Sequence, residues 1–157
     1  MKCDVVFVLL EDNLIQVKSG GKYPRNIADF NPVYDLWYAL KYYGPKKIIV
    51  LDNLDLRRSV QSKWFFLKLW FISEWLEEIT KIPVDHYHSI KGNWVNNFGD
   101  EGEEDIIDQV RRLEKKDGYL FIDRNTQDNK EFIEGKGIEY IKSSDFIRTY
   151  NPHAKNI

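Results

Sequence analysis

Three short and almost wholly apolar runs constrain the fold of this chain more than any other feature of its sequence. They are DVVFVLL (residues 4–10), KKIIVLD (46–52) and YLFID (119–123). Strands that are buried on both faces of a sheet have such continuous runs, whereas strands with one solvated face alternate apolar and polar residues. Helix-like segments separate the runs, as connections between parallel strands require. The sequence therefore predicts a three-layer, Rossmann-like α/β domain with a central, mainly parallel sheet.

Weaker patterns complete the predicted order of elements. Apolar residues at helical spacing predict a helix over residues 32–43, ended by Gly44, and a long helix over residues 59–81. The other predicted elements are strands at 83–90 and 138–141, an exposed helix before Gly118, and a short helix over 128–137. Residues 143–157 show no clear period. We therefore expect one α/β domain over residues 1–142, followed by a C-terminal tail.

Charge and cysteine content narrow the possible functions. The formal net charge of −2 gives no overall attraction to nucleic acid or to an anionic membrane. Cys3 is the only cysteine, which rules out an intramolecular disulfide and favours a reducing compartment. The longest aromatic and aliphatic run, residues 64–72, is too short to span a bilayer. We expect a soluble cytoplasmic protein, with nucleic-acid binding through Arg57, Arg58 and Lys63 as a weaker alternative.

Short motifs at the ends of the predicted strands share the order and spacing of a known family. Residues 7–15, FVLLEDNLI, stand in the frame of a strand that ends in Asp-x-Asp-Gly-Thr-Leu-Ile. Residues 51–53 correspond to a Thr-Asn-Gln motif, residues 92–94 to Gly-Met-Trp, and residues 122–128 to a motif with two Asp residues. Taken in order, these motifs resemble those of the haloacid dehalogenase (HAD) phosphatase superfamily. The likeness is greatest to compact members without a large cap, such as polynucleotide 3′-phosphatases and histidinol-phosphate phosphatases.

The resemblance implies a role for each motif position, and the positions that would carry the chemistry are changed. In HAD phosphatases the first Asp is the nucleophile, and Leu9 stands at that position. The second Asp is the general acid and base, and here it is Glu11. The Thr that hydrogen-bonds the phosphate corresponds to Leu51, and the Lys of the third motif corresponds to His88, with Lys91 nearby. Leucine has no lone pair with which to attack phosphorus or to bind a metal.

The resemblance therefore implies a catalytically degenerate domain, a pseudophosphatase retained as a binding or assembly module, with no cofactor expected. The alternative is a divergent magnesium-dependent phosphohydrolase that acts on a nucleotide, a polynucleotide 3′-phosphate or a small phosphoester. In that case the resemblance places a magnesium ion on Glu11, Asp123 and Asp128. The residues left to bind the ligand are then Asp52, Asn53 and Lys91.

The predicted helix over residues 59–81 is apolar around almost its whole circumference. A helix packed on one face of a sheet needs only one apolar stripe, so a second apolar face indicates another covering element or a partner. Aromatic residues are enriched at protein interfaces. We expect the contact of a homo-oligomer, or of a protein partner, to form there. The candidate interface residues are Trp64, Phe65, Trp70, Phe71 and Trp75.

Overall fold

The computed structural model describes residues 2–10, 13–17, 30–52, 62–88, 106–114, 118–123 and 127–154. Within these ranges the chain forms seven strands and five helices. In chain order they are β1 (Val5–Leu9), β2 (Ile15–Val17), β3 (Phe30–Pro32), α1 (Tyr34–Tyr43), β4 (Lys47–Asp52), α2 (Ser62–Thr80), β5 (Val84–His88), α3 (Ile106–Glu114), β6 (Tyr119–Asp123), α4 (Gln127–Gly135), β7 (Glu139–Lys142) and α5 (Ser143–Tyr150).

Five of the strands form one parallel sheet in the order β5-β4-β1-β6-β7, which confirms the predicted α/β class. The three apolar runs of the sequence are β4, β1 and β6, the three inner strands of this sheet. An inner strand has a neighbour along each edge and helices over both faces, so most of its side chains are buried. In β1, Val5–Leu9 are buried without interruption.

Successive strand residues point into two separate apolar clusters, one on each face of the sheet. Val6 and Val8 of β1 pack with residues of α1, α2 and α5. Val5, Phe7 and Leu9 pack with residues of α3 and α4. This alternation follows from the period of two along a strand. The helices therefore form one layer over each face, which gives the predicted three-layer arrangement.

The two long helices agree with the prediction. α1 ends at Gly44, which has a left-handed φ of 69° and donates its N–H to the Leu40 carbonyl at 3.0 Å. Glycine takes this conformation without strain, which is why it ends so many helices. α2 spans Ser62–Thr80, within the predicted range. No helix in the described part of the chain is long and apolar enough to cross a membrane.

Sequence patterns do not predict the hairpin formed by β2 and β3. Each strand has three residues, which is too short to show a period. The hairpin is held against α1, because the Leu14 carbonyl accepts hydrogen bonds from the Val33 N–H at 2.8 Å and from Trp37 Nε1 at 2.9 Å. These contacts join residues about twenty positions apart, so local sequence gives no sign of them.

The second element without a sequence signal is α5, which lies in the segment that shows no period. Its Phe146 and Ile147 are buried. The ring centroid of Tyr43 on α1 lies 4.7 Å from that of Tyr150 and 5.4 Å from that of Phe146. A helix of two turns contains too few apolar residues for a detectable period. Residues 143–150 therefore pack against the same core as α1.

Candidate functional site at the carboxyl edge of the sheet

The strand order creates a switch point at one edge of the sheet. From β1 the chain passes through α1 to β4 and then β5 on one side, and later it enters β6 and β7 on the other side. In open α/β sheets, ligands bind beyond the carboxyl ends of the strands at such a point. The candidate site is therefore the edge at which β1, β4 and β6 end.

Two leucines occupy the ends of β1 and β4. Leu9 is paired with Leu51 in the parallel register, and the Leu10 N–H donates to the Leu51 carbonyl at 2.8 Å. Leu51 is fully buried and Leu9 is 8% exposed. Both side chains belong to the apolar cluster beneath α3 and α4, together with Ile107 and Ile133. The position that the resemblance assigns to a nucleophile is thus packed as part of the core.

Asp123, at the end of β6, is a buried carboxylate that is 2% exposed. The Tyr140 hydroxyl on β7 donates to Asp123 Oδ2 at 2.7 Å. The Tyr140 ring stacks on Phe121, with 6.0 Å between the ring centroids. Burying a carboxylate is costly unless it accepts hydrogen bonds, and the phenol supplies one. Sequence reasoning missed Tyr140, because only the pairing of β6 with β7 brings it to Asp123.

The residues that end three neighbouring strands form a row. The register that pairs Val8 with Ile122 continues to Leu9 beside Asp123, so the row reads Leu51, Leu9, Asp123. Magnesium prefers an octahedral shell of hard oxygen ligands, and two of these three side chains offer no oxygen. Among the residues that the structure describes, no three His, Cys, Asp or Glu side chains are grouped closely enough to hold a metal ion.

Several of the predicted site residues lie outside the described ranges, and these are Glu11, Asn53 and Lys91. Asp52 and His88 pair in register as the last residues of β4 and β5, and Asp128 lies in the first turn of α4. For these three residues the description covers the backbone and not the side chain. The same holds for Trp64, Phe65 and Trp70 in α2. The roles assigned to all of them stay predictions.

A group of exposed aromatic side chains covers the outer side of α1 and α2. We call it the aromatic surface, and it consists of Tyr34 (41% exposed), Tyr38 (41%), Phe71 (61%) and Trp75 (40%). The members on each helix are four residues apart, so they are neighbours on one helix face. Tyr34 and Trp75 join the two helices, with 5.8 Å between their ring centroids. Phe71 and Trp75 were predicted to be interface residues, whereas the tyrosines of α1 were not.

The aromatic surface is supported from below by a buried indole. Trp37 is fully buried, and its ring centroid lies 5.3 Å from that of Trp75 and 5.5 Å from that of Tyr34, in edge contacts. Aromatic pairs in this geometry stabilise each other beyond the area that they bury. The exposed rings of Tyr34 and Trp75 are therefore held in place by the core.

A second polar cluster lies near the amino end of β1. The Cys3 N–H donates to Tyr43 Oη at 2.6 Å, and the Cys3 thiol lies 3.8 Å from Glu139 Oε2. Burial raises the pKa of the Cys3 thiol, and it also raises the pKa of the Tyr43 phenol. A thiol that resists deprotonation is a poor nucleophile. The raised pKa therefore gives no support to Cys3 as a nucleophile.

No model of a known protein family matches the chain, and no curated protein matches its sequence.

Proposed function

We propose that this protein is a HAD-like pseudophosphatase, a domain that has lost catalysis and serves as a binding or assembly module. The observation that carries the proposal is the pair Leu9 and Leu51, both packed among apolar side chains at the carboxyl edge. The HAD reaction requires a carboxylate nucleophile at the first position and a hydroxyl at the second. Without a covalent nucleophile the reaction loses many orders of magnitude in rate.

The partner-binding part of the proposal is supported by the aromatic surface. Large exposed rings that are already held in place lose little conformational entropy when a partner covers them, and rigid Trp and Tyr side chains dominate many interfaces. The module needs no cofactor in this proposal. A single cysteine, Cys3, fits a reducing compartment such as the cytoplasm.

A phosphatase assay tests the loss of catalysis. The purified chain is incubated with magnesium and either p-nitrophenyl phosphate or a 3′-phosphorylated oligonucleotide, and Glu11→Ala serves as the matched control. We expect no release of phosphate above the blank from either protein. Turnover by the wild-type chain that disappears in Glu11→Ala would contradict the proposal, because it would show catalysis at the degenerate site.

The buried carboxylate of Asp123 favours a second candidate, a divergent magnesium-dependent phosphohydrolase that uses Glu11, Asp123 and Asp128. Calorimetric titration with magnesium or manganese separates the two candidates. A tight site that is lost in Asp123→Asn and kept in Tyr140→Phe would support the enzyme, because the second variant retains the carboxylate. Absence of any heat of binding in the wild-type chain would argue against it.

A further inference from the structure

The outward face of α2 combines exposed aromatic rings with exposed carboxylates. Two pairs of side chains, each four residues apart, share this face of the helix because residues three and four apart are helical neighbours. They are Phe71 with Trp75, and Glu74 with Glu78. All four are exposed, whereas Leu76 on the opposite face is fully buried. The aromatic surface is therefore flanked by negative charge.

The same carboxylates form one wall of an open cleft. This cleft has a volume of about 470 Å³ and lies beside the second half of α2. Its described lining residues are Glu74, Glu77, Glu78, Lys81, Ile82 and Pro83. Three carboxylates and one ammonium group give the lining an excess of negative charge. A partner that covers the aromatic surface also meets this negative cleft.

The charge decides between two kinds of occupant. In a symmetric dimer an isologous contact presents the same patch from both subunits, so Glu74 and Glu78 of one copy would face the negative patch of the other. Like charges brought together in this way disfavour association. A partner with positive charge gains from the same groups, so charge complementarity favours a basic segment over a second copy of the chain.

Arginine suits the combination of groups on this face. Its planar guanidinium stacks on the faces of Tyr and Trp rings, and it also binds carboxylates with two parallel hydrogen bonds. Apolar side chains between the arginines would cover Phe71, which is 61% exposed. We propose that the aromatic surface, with Glu74 and Glu78, docks a basic segment of a partner protein in which Arg alternates with apolar residues. This inference rests on the proposed function, since it names the partner chemistry of the binding module.

Three fluorescein-labelled peptides of equal length provide the probe. One is built from Arg and Leu, the second has Gln in place of every Arg, and the third has Glu in place of every Arg. Fluorescence anisotropy measures their binding to the full chain at low and at high salt. We expect the Arg peptide alone to bind, with an affinity that falls as salt screens the carboxylates.

Two matched pairs of variants locate the site. Phe71→Ser removes an exposed ring from the aromatic surface, and Leu113→Ser removes a similarly exposed apolar side chain from α3 on the other face of the sheet. The double variant Glu74→Gln/Glu78→Gln removes charge from the surface, and Glu134→Gln removes an exposed charge from α4. We expect binding to weaken about tenfold in Phe71→Ser and about fivefold in the double variant, with both controls unchanged.

The peptide affinities and the oligomeric state together test whether a basic segment binds the aromatic surface. Equal affinity of the wild type and all variants for the Arg peptide would overturn the inference, as would binding of the Gln peptide as tightly as the Arg peptide. A dimer in light scattering that dissociates in Phe71→Ser would assign the surface to a second copy instead. The phosphatase assay is run on the same preparation, so phosphate release would refute the pseudophosphatase proposal without bearing on the peptide result.

Discussion

The two helical layers that cover the sheet differ in how they treat large apolar side chains. The layer of α1, α2 and α5 buries Trp37 and still leaves large rings exposed above it. The layer of α3 and α4 buries Ile107, Val110 and Ile133, and among its described residues Leu113 is the one large apolar side chain that is exposed. Its surface carries an ion pair between Lys136 Nζ and Asp108 Oδ2 at 2.8 Å.

The difference is that the large exposed apolar side chains of the described residues are concentrated on one of the two helical layers. Among the described residues, the α3/α4 layer packs on its face of the sheet with no aromatic ring as exposed as those of Tyr34 or Phe71, and Phe132 is partly buried against the cluster. Of the six large apolar side chains that are exposed in the described part of the chain, five lie on α1 and α2. An uneven distribution of this kind agrees with the docking surface proposed above.

The largest effect is expected from the buried indole beneath the aromatic surface. Trp37→Ala should lower the free energy of unfolding by about 4 kcal/mol, because it leaves a large cavity and removes the hydrogen bond to the Leu14 carbonyl. Trp37→Phe keeps most of the volume and should cost clearly less. Urea denaturation measures both. Similar losses in the two variants would mean that the hydrogen bond, and not the packing, stabilises this layer.

The opposite layer should show a smaller but still strong dependence on its core. Ile133 on α4 is fully buried in the cluster beneath α3 and α4. Ile133→Ala should lower the free energy of unfolding by about 3 kcal/mol, and Ile133→Val by about 1 kcal/mol. The same urea experiment measures them. A loss below about 1 kcal/mol in Ile133→Ala would show that this layer covers the sheet only loosely.

Alkaline pH should weaken the contact between α1 and the start of β1. The pKa of the Cys3 thiol is raised by burial above its ordinary value of 9.0, and the pKa of Tyr43 is raised above 10.0. The unfolded chain therefore releases these protons first, so their stabilisation is complete below pH 9 and declines as the pH rises above it. Each group can contribute at most about 1.4 kcal/mol per pH unit to this decline.

Cys3→Ala isolates the thiol in this experiment. The difference in unfolding free energy between the wild type and Cys3→Ala is measured by urea denaturation from neutral to alkaline pH. It should shift against the wild type above pH 9, because only the wild type retains the titrating thiol. A difference that stays constant over the whole range would contradict the raised pKa.

The smallest effects on stability should come from the exposed side chains themselves. Phe71 is 61% exposed and Leu113 is 64% exposed, one on each layer. Phe71→Ser and Leu113→Ser should each change the unfolding free energy by less than about 0.5 kcal/mol, because neither leaves a cavity. Thermal unfolding measures the pair. A loss of more than about 1 kcal/mol in Phe71→Ser alone would mean that Phe71 belongs to the core and not to a docking surface.

Much of the fold could be predicted from the sequence, because its signals are local. The inner strands are continuous apolar runs, and α1 and α2 have helical spacing over two or more turns. The β2–β3 hairpin and α5 could not be predicted, since each is short and is held by partners far away in the chain. Two hydrogen bonds are examples of such contacts. Trp37 Nε1 donates to the Leu14 carbonyl, and Asn151 Nδ2 donates to the Asp35 carbonyl.

The candidate site could be predicted only as a set of positions. The sequence placed Leu9, Leu51 and Asp123 at strand ends, and the sheet brings them into one row. It did not reveal that Tyr140 bonds to Asp123, because strand pairing, and not spacing along the chain, creates that contact. The tyrosines of the aromatic surface were missed for a related reason: their period of four fits a helix, but only packing shows which face is outward.

The sequence by itself determined the α/β class, the parallel inner strands and the leucines at the ends of β1 and β4. These features follow from hydrophobic patterning over a few residues, which acts before distant segments meet. The tertiary structure alone decided which strands are neighbours, what Asp123 bonds to and which aromatic rings stay exposed. Those properties depend on contacts between residues that are far apart in the chain, and such contacts exist only once the layers have packed.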